Sequence, residues 1–220
     1  MVDVRGRDGS GAWTQWREPD ATGVVRLPRP VSVLQTRLTL LASADGRMPT
    51  VSGLSLRPAA VPAESAAQGA VAAAAPVTYT VFATREGLVG STTANGHVIQ
   101  RRDHFAALPS RRMLASRGGH EYRVKVCHKG RCETVPVWDV GPWNTKDDYW
   151  NPPSVRQMWS DLRRGQPEAS AAYRYGYNGG RDQFGRRVAN PAGIDLADGT
   201  FWDALGMVDN DWVTVTFLTA

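Results

Sequence analysis

The sequence lacks the features that define several large protein classes. It has no run of 18 apolar residues, so it predicts no helix that spans a membrane. Residues 1–10 are polar and of mixed charge, which is unlike a signal peptide. Basic residues form no run longer than three and match no nucleic-acid recognition module, so nucleic acid is not expected as a partner.

Cysteine and histidine are also scarce, with two and four residues respectively. Cys127 and Cys132 flank a four-residue turn between two β-rich runs. Antiparallel pairing would bring them opposite one another, about 4.5 Å apart at Cα, where a disulfide is feasible. A disulfide would fit an oxidising compartment. A zinc site would need two more ligands and only His128 is adjacent, so we expect no metal and no cofactor.

The composition is that of an ordinary globular protein. Apolar residues make up 42% of the chain and charged residues 21%. The 220 residues carry a net charge of +5, which gives a mild bias toward acidic partners such as anionic wall polymers. One or two domains are expected at this length.

Residues 1–56 and 57–76 differ in pattern. Three short stretches of the first segment predict strands, at 12–16, 33–41 and 51–56. We interpret residues 1–56 as a partial β-sandwich, as in a truncated accessory domain; the alternative is a short independent sheet packed on the next domain. Residues 57–76 are rich in alanine and proline without periodicity, which is typical of a linker.

Residues 77–220 predict a β domain with an insertion. Alternating or β-branched runs predict strands at 78–83, 105–108, 121–127, 132–139 and 213–218. Residues 143–190 interrupt them. Within this insertion, apolar residues at helical spacing predict a helix over 151–165, and residues 168–173 predict a second short helix.

Two aspartates stand out by their positions. Asp139 ends a β-branched, apolar run that Gly141-Pro142 then stops, so its carboxylate should lie where a turn opens to solvent. Asp195 lies between Ile194 and Leu196, and strand alternation would point it away from both.

Four short motifs carry a family resemblance. In order along the chain they are Thr93-Ala94-Asn95-Gly96, Ala107-Leu108-Pro109, Asp139-Val140-Gly141-Pro142 and Ile194-Asp195-Leu196-Ala197. They resemble the T-A-N-G, L-P, D-x-G-P and D-L-S elements of the double-psi β-barrel of the rare lipoprotein A and expansin group. The resemblance covers residues 77–220, about two thirds of the chain. It implies an all-β fold: a six-stranded double-psi β-barrel with a helical insertion, preceded here by the partial β-sandwich.

The resemblance also implies roles. Asp139 matches the family's catalytic or polysaccharide-contacting acid, and Asp195 would support it. The family's transglycosylases carry a histidine where this chain has Phe105, and His104 is one residue away, so it could serve only through a bulge. Thr93 and Asn95 would line the cleft.

Structural alternatives remain for each of these positions. The Asp139 carboxylate could instead hold the turn that follows it. Asp195 could satisfy the free N–H groups at the start of a helix. Thr93 and Asn95 could be loop residues only.

Aromatic residues around the predicted site suggest a surface on which sugars stack. Trp138, Trp143, Tyr149 and Trp150 are the candidates. The alternative is that the aromatics of the insertion anchor it to the barrel.

Three functions follow. The first is a monomeric, extracellular or cell-wall-associated barrel that binds or remodels polysaccharide or peptidoglycan, as expansins do. The second is a lytic transglycosylase, in which the substrate's own hydroxyl attacks and one carboxyl serves as base and acid in turn; hydrolysis usually needs two. The third is a secreted protease inhibitor or interaction barrel. An enzyme requires Asp139 to be open and near a second polar group, a binder requires a row of exposed aromatics, and an inhibitor requires a protruding loop.

Overall fold

The computed structural model describes residues 1–9, 11–43, 45–59 and 76–218. The chain divides into two compact units, Met1–Ala74 and Ala75–Ala220. Most of the predicted linker, residues 60–75, lies outside the described residues.

The first unit contains a two-stranded antiparallel sheet of β1 (Val2–Arg7) and β2 (Val33–Leu38). Val4 and Trp16 are buried beside it. The guanidinium of Arg5 lies 4.4 Å from the ring centroids of both Trp13 and Trp16, so a charged side chain is buried between two aromatic faces.

The strand predictions for this unit were partly wrong. Residues 33–41 do supply β2, but residues 12–16 make only an isolated bridge at Trp13, and residues 51–56 form no strand. Leu54 and Leu56 are exposed and pair with no neighbouring strand, and alternation without a partner does not make a strand. Strand β1 was missed because its charged residues hide its pattern. Assignment of this unit to a β-sandwich stays a prediction.

The second unit is a closed barrel of six strands. They are β3 (Val77–Arg85), β4 (Ala106–Leu108), β5 (Arg123–His128), β6 (Arg131–Val140), β7 (Ala192–Leu196) and β8 (Asp211–Phe217). Their order around the barrel is β3-β7-β4-β6-β5-β8. The pairs β3–β7 and β4–β6 are parallel and the other four are antiparallel. The predicted all-β fold with a six-stranded barrel is confirmed, and this mixed arrangement is compatible with a double-psi barrel.

Strand alternation fills the barrel. In β5, Val124 and Val126 are buried while Lys125 between them is exposed; in β8, Val213 and Val215 are buried in the same way. The period of two therefore sends one side of each strand into the core and the other to solvent.

The hairpin of β5 and β6 carries the predicted disulfide. Cys127 pairs directly with Cys132 across the two strands, and their Cα atoms are 4.0 Å apart. Because the closed loop is short, the chain-entropy model assigns the bond roughly 2 kcal/mol of stabilisation.

The insertion contains one α-helix, α1 (Glu168–Tyr175), close to the short helix predicted at 168–173. It ends at Gly176, whose φ of 68° is left-handed, as glycine permits. Short 3-10 segments occur at Arg111–Met113 and Tyr177–Gly180, and a π-helix at Gly199–Ala204. No helix in the described ranges is long and apolar enough to cross a membrane.

The helix predicted over 151–165 does not form. This segment is a series of turns whose backbone groups bond to side chains: Gln157 N–H donates to Asp148, and Arg112 donates to the Val155 carbonyl. The predicted helix would have placed Arg156 on its polar, solvent-facing side, but Arg156 is buried in an ion pair with Asp147. Tertiary polar contacts therefore replaced the helical hydrogen bonds that the spacing predicted.

Candidate functional site

Two of the predicted site residues lie in one row across four strands. Asp195 of β7 pairs with Thr84 of β3 on one side and with Ala107 of β4 on the other. Ala107 in turn pairs with Asp139 of β6. Residues paired across a sheet point to the same face, so Thr84, Asp195, Ala107 and Asp139 share one face at the ends of their strands. The small side chain of Ala107 separates the two aspartates.

The Asp195 side chain is partly buried between the ends of β3 and β6. Its carboxyl accepts a hydrogen bond from the Thr84 hydroxyl. Its Oδ2 lies 3.6 Å from where a Cβ on Gly141 would be, so the side chain reaches toward the end of β6. The pKa of Asp195 is raised to about 7: burial is the largest cause, the negative charge of Asp139 adds to it, and the Thr84 hydrogen bond counteracts part of the rise.

The T-A-N-G loop holds Asp139 in place. The backbone N–H of Ala94 donates to Oδ1 of Asp139 at 2.7 Å, and the N–H of Val140 donates to the same oxygen at 2.8 Å. The N–H of Asn95 also donates to the Trp138 carbonyl at 3.3 Å. The loop is thus fastened to the end of β6 by its backbone, and the Asp139 side chain stays half-exposed.

A third carboxyl group joins the two aspartates. Glu86 follows β3 directly, and its backbone N–H donates to the Leu196 carbonyl at 2.9 Å, which fixes it beside β7. Burial, a hydrogen bond to Asp139 and the negative charges of Asp139 and Asp195 all raise the pKa of Glu86 far above its usual range. The site therefore holds three carboxyl groups, two of which bind protons more tightly than free acids.

Thr93 and Asn95 act within their loop. Thr93 is buried, and its hydroxyl bonds to Asn95 Oδ1 at 2.7 Å. The Asn95 side-chain amide donates to the Ser116 carbonyl at 3.2 Å. Both side chains shape the loop that positions Asp139, and their role in lining a cleft stays a prediction.

The structure does not bring His104 to the aspartates. Its Nδ1 lies 2.7 Å from Oε1 of Glu133, and the ring is exposed. Glu133 is six residues before Asp139 in β6, roughly 20 Å along the strand. The one-residue offset from Phe105 thus sends the imidazole away, and Phe105 itself is fully buried against Trp138.

Two of the four predicted stacking residues are half-buried. Trp138 packs on Ile99, Phe105 and Ala197, and its Nε1 donates to the Gly119 carbonyl at 2.8 Å. Trp143 packs against the group formed by Ala169, Ala172 and Val188, and its Nε1 donates to Asn190.

Tyr149 and Trp150 are buried, at 0% and 2% exposure, so neither offers a ring face to a sugar. The Trp150 ring stacks on Phe217 of β8 at 4.9 Å, and the Tyr149 hydroxyl donates to the Gly193 carbonyl at 3.1 Å. Both residues anchor the insertion to the barrel, because burial of a large aromatic side chain removes a large apolar area from water.

Sequence reasoning missed Glu86, Thr84 and Ala107. The signal for Glu86 was a charged residue directly after an alternating strand and before a glycine, but only the pairing of β3 with β7 brings it to the aspartates. Ala107 was part of a motif, yet its role as the spacer between two acids depends on β4 lying between β7 and β6.

Two further observations concern the surroundings of the three carboxyl groups. A surface cavity of about 620 Å³ lies beside the end of α1, and none of its lining residues belongs to the carboxyl cluster. Among the described residues, no group of three or more His, Cys, Asp or Glu side chains is arranged to hold a metal ion.

The barrel and its site lie within a sequence family. A family model described as a domain of unknown function, DUF8814, matches residues 77–216, which is more than half of the chain. The chain belongs to this family. The DUF8814 match covers all of β3 to β7, all but the last residue of β8, and the three carboxyl residues. No curated protein matches the chain.

Proposed function

We propose that the DUF8814 barrel is a double-psi barrel of the rare lipoprotein A and expansin kind, which cleaves glycosidic bonds in cell-wall polysaccharide by carboxyl acid–base catalysis. The observation that carries this proposal is the row that holds Asp139 and Asp195 on one face, with Glu86 beside Asp139. Acid–base catalysis needs groups of differing proton affinity within reach of one bond, and burial and like charge create such differences here.

Cleavage is favoured over binding by the placement of the aromatics. A polysaccharide binder would stack sugars on exposed rings beside the acids, but Tyr149 and Trp150 are buried, and Trp138 and Trp143 are half-buried. Asp139, by contrast, is half-exposed and interacts with a second carboxyl group, that of Glu86. These are the features that an enzyme requires.

The proposed reaction is a transglycosylation within the substrate. The carboxyl site protonates the oxygen that leaves, and a hydroxyl of the same sugar forms the new bond, so no water has to enter between the carboxyl groups. Peptidoglycan is the substrate that the motif resemblance favours. The net charge of +5 suits its acidic character, and the disulfide suits a location outside the cell or in the wall.

Binding without cleavage is the second candidate, and one contact favours it. Oδ1 of Asp139 already accepts two backbone N–H bonds, as expected of a carboxylate that holds a loop in place. In that case the barrel would loosen the polymer without breaking covalent bonds.

The test uses purified peptidoglycan, with the unchanged chain compared with Asp139→Asn. We expect the unchanged chain to release soluble anhydro-sugar fragments and the variant to release them about 10²–10⁴-fold more slowly, since it removes one acid–base group. Mass spectrometry of the soluble fraction measures the product, and sedimentation with the polymer measures binding. Binding without any released product would favour the second candidate, and neither binding nor product would contradict both.

A further inference from the structure

We propose that Glu86 is the proton donor of this site, and that it shares one proton with Asp139. The inference rests on the proposed function and names a catalytic residue for it. None of the four motifs that carry the family resemblance contains Glu86.

The position of Glu86 is fixed by the barrel. Its backbone is bonded to Leu196, one residue after Asp195, and its side chain meets Asp139 of β6. Oε2 of Glu86 is buried, and no N–H or hydroxyl group of the described residues bonds to it. A buried carboxylate oxygen without a donor is costly, whereas a protonated carboxyl group at the same place is tolerated.

The neighbouring charges agree with a protonated Glu86. Asp139 and Asp195 both present negative charge to it. The adjacent cation, Arg85, is directed elsewhere: its guanidinium pairs with Asp198 at 2.7 Å and lies 4.6 Å from the Trp202 ring centroid. No lysine or arginine in the described part of the chain forms an ion pair with Glu86.

The direction of the shared hydrogen bond follows from the contacts of Asp139. Oδ1 of Asp139 is an acceptor in two backbone hydrogen bonds, so the Asp139 carboxyl suits the accepting role and Glu86 the donating one. Two carboxyl groups joined by a hydrogen bond are too close to flank a glycosidic bond as separate acid and nucleophile, which need about 5 Å or more between them. They act instead as one unit that carries one proton.

The proposed cleavage neither consumes nor releases a proton overall. As the glycosidic C–O bond breaks, its electron pair stays on the leaving oxygen, which takes the proton from Glu86. The substrate hydroxyl that forms the new C–O bond to the same carbon gives its proton back to the Glu86–Asp139 pair. The pair ends with one proton, as it began, and no further reactant is needed.

The variant Glu86→Gln distinguishes two roles of Glu86: transfer of a proton to the substrate, and structural support of Asp139. The glutamine amide can still donate a hydrogen bond to Asp139, but it cannot transfer a proton. We expect release of soluble fragments from peptidoglycan to fall about 10²–10⁴-fold, while the variant still sediments with the polymer. The matched control is Asp203→Asn, which makes the same change at a half-exposed ion pair with Arg102 and should leave product release unchanged.

Activity of Glu86→Gln near that of an active unchanged chain would overturn the inference and leave the proposed function intact. No product from the unchanged chain would contradict the proposed function and, with it, the donor role. Infrared spectra of the unchanged chain and of Glu86→Gln across a pH titration supply a readout that needs no substrate. We expect a protonated-carboxyl band that persists after Asp195 and Glu168 have titrated and that is missing in Glu86→Gln; an identical set of bands in both proteins would overturn the inference.

Discussion

At the scale of single residues, the properties of Asp195 are set by three neighbours, one on β3 and two on β6 or directly after it. Thr84 donates a hydrogen bond to it, Gly141 leaves space beside its Oδ2, and Asp139 adds negative charge from across Ala107. Burial alone would favour the neutral acid strongly, and the Thr84 hydroxyl counteracts part of that effect. The acidity of this carboxyl is therefore a property of the assembled barrel.

Thr84→Val tests this arrangement. Valine keeps the shape of the side chain and removes the hydroxyl that stabilises the ionised carboxylate, so the pKa of Asp195 should rise above about 7. One such hydrogen bond is worth about 0.5–1.5 kcal/mol, which corresponds to roughly 0.5–1 pH unit. Carboxyl ¹³C chemical shifts followed through a pH titration measure the change.

Thr78→Val is the matched control for that experiment. Thr78 is on the same strand, and its hydroxyl bonds to the Thr216 hydroxyl, on an exposed part of the barrel. We expect no change in the titration of Asp195 from this variant. A pKa of Asp195 that moves down in Thr84→Val, or moves equally in both variants, would contradict the assigned role of Thr84.

At the scale of elements, the insertion is joined to the barrel where α1 begins. Pro167, at the N-terminus of α1, packs directly over Gly193 of β7. The Tyr149 hydroxyl also donates to the Gly193 carbonyl. Since Asp195 is two residues further along β7, the same strand carries both the helix contact and the acid.

Gly193→Ala should weaken this junction. A Cβ at position 193 would lie 2.5 Å from Cγ of Pro167 and 3.3 Å from Cβ of Val81, and the rigid proline ring cannot turn aside. We expect the free energy of unfolding to fall by about 1–3 kcal/mol, as for other overpacked sites. Urea denaturation followed by tryptophan fluorescence measures it.

Gly53→Ala is the control for Gly193→Ala, because it makes the same substitution where there is free space. A Cβ there would meet no atom within 4 Å, so the free energy of unfolding should stay within about 0.5 kcal/mol of the unchanged chain. If Gly193→Ala were equally harmless, α1 and β7 could not be as closely packed as described.

At the scale of the whole molecule, several acids of the barrel unit hold protons more tightly than they do in an unfolded chain. Burial is the largest cause for each of them. It raises the pKa of Asp147 to about 6, the pKa values of Glu168 and Asp195 to about 7, and the pKa of Glu86 further. A raised pKa in the folded state links stability to pH.

The direction of this linkage can be worked out. Below about pH 4 these acids are protonated in both states, so their contribution to stability is fully present. As the pH rises, the unfolded chain releases its protons first while the folded chain retains them. The free energy of unfolding should therefore fall between about pH 4 and 7, by up to about 1.4 kcal/mol per pH unit for each group.

Urea denaturation at pH 5 and pH 8 measures this slope. Asp20 and Asp211, whose pKa values are lowered by hydrogen bonds, lose their contribution only at more acid pH and do not oppose the trend in this range. Glu168→Gln keeps an oxygen for the Asn144 amide and cannot titrate, so its slope should be shallower. Stability that rises from pH 5 to pH 8 would contradict the assigned protonation of the buried acids.

The sequence determined several of the strands because apolar residues alternate along them. The pattern of Val124, Val126, Val213 and Val215 sends apolar side chains to one face. The six-stranded barrel itself was implied by the resemblance of the four motifs. Local turn chemistry was equally readable: the four-residue turn between Cys127 and Cys132 brought them together as predicted. These features depend on neighbours in the chain, so the chain alone specifies them.

Only the tertiary structure decided which side chains meet at the site. Glu86, Asp139 and Asp195 lie far apart in the chain, and the order β3-β7-β4-β6 brings them together. Tyr149 and Trp150 are likewise buried by contacts with Gly193 and Phe217, residues far from them in the chain, and aromatic patterning does not say which surface a ring will cover. A carboxyl group's proton affinity depends on burial and on charges within a few ångströms, and those neighbours exist only once non-adjacent strands have paired.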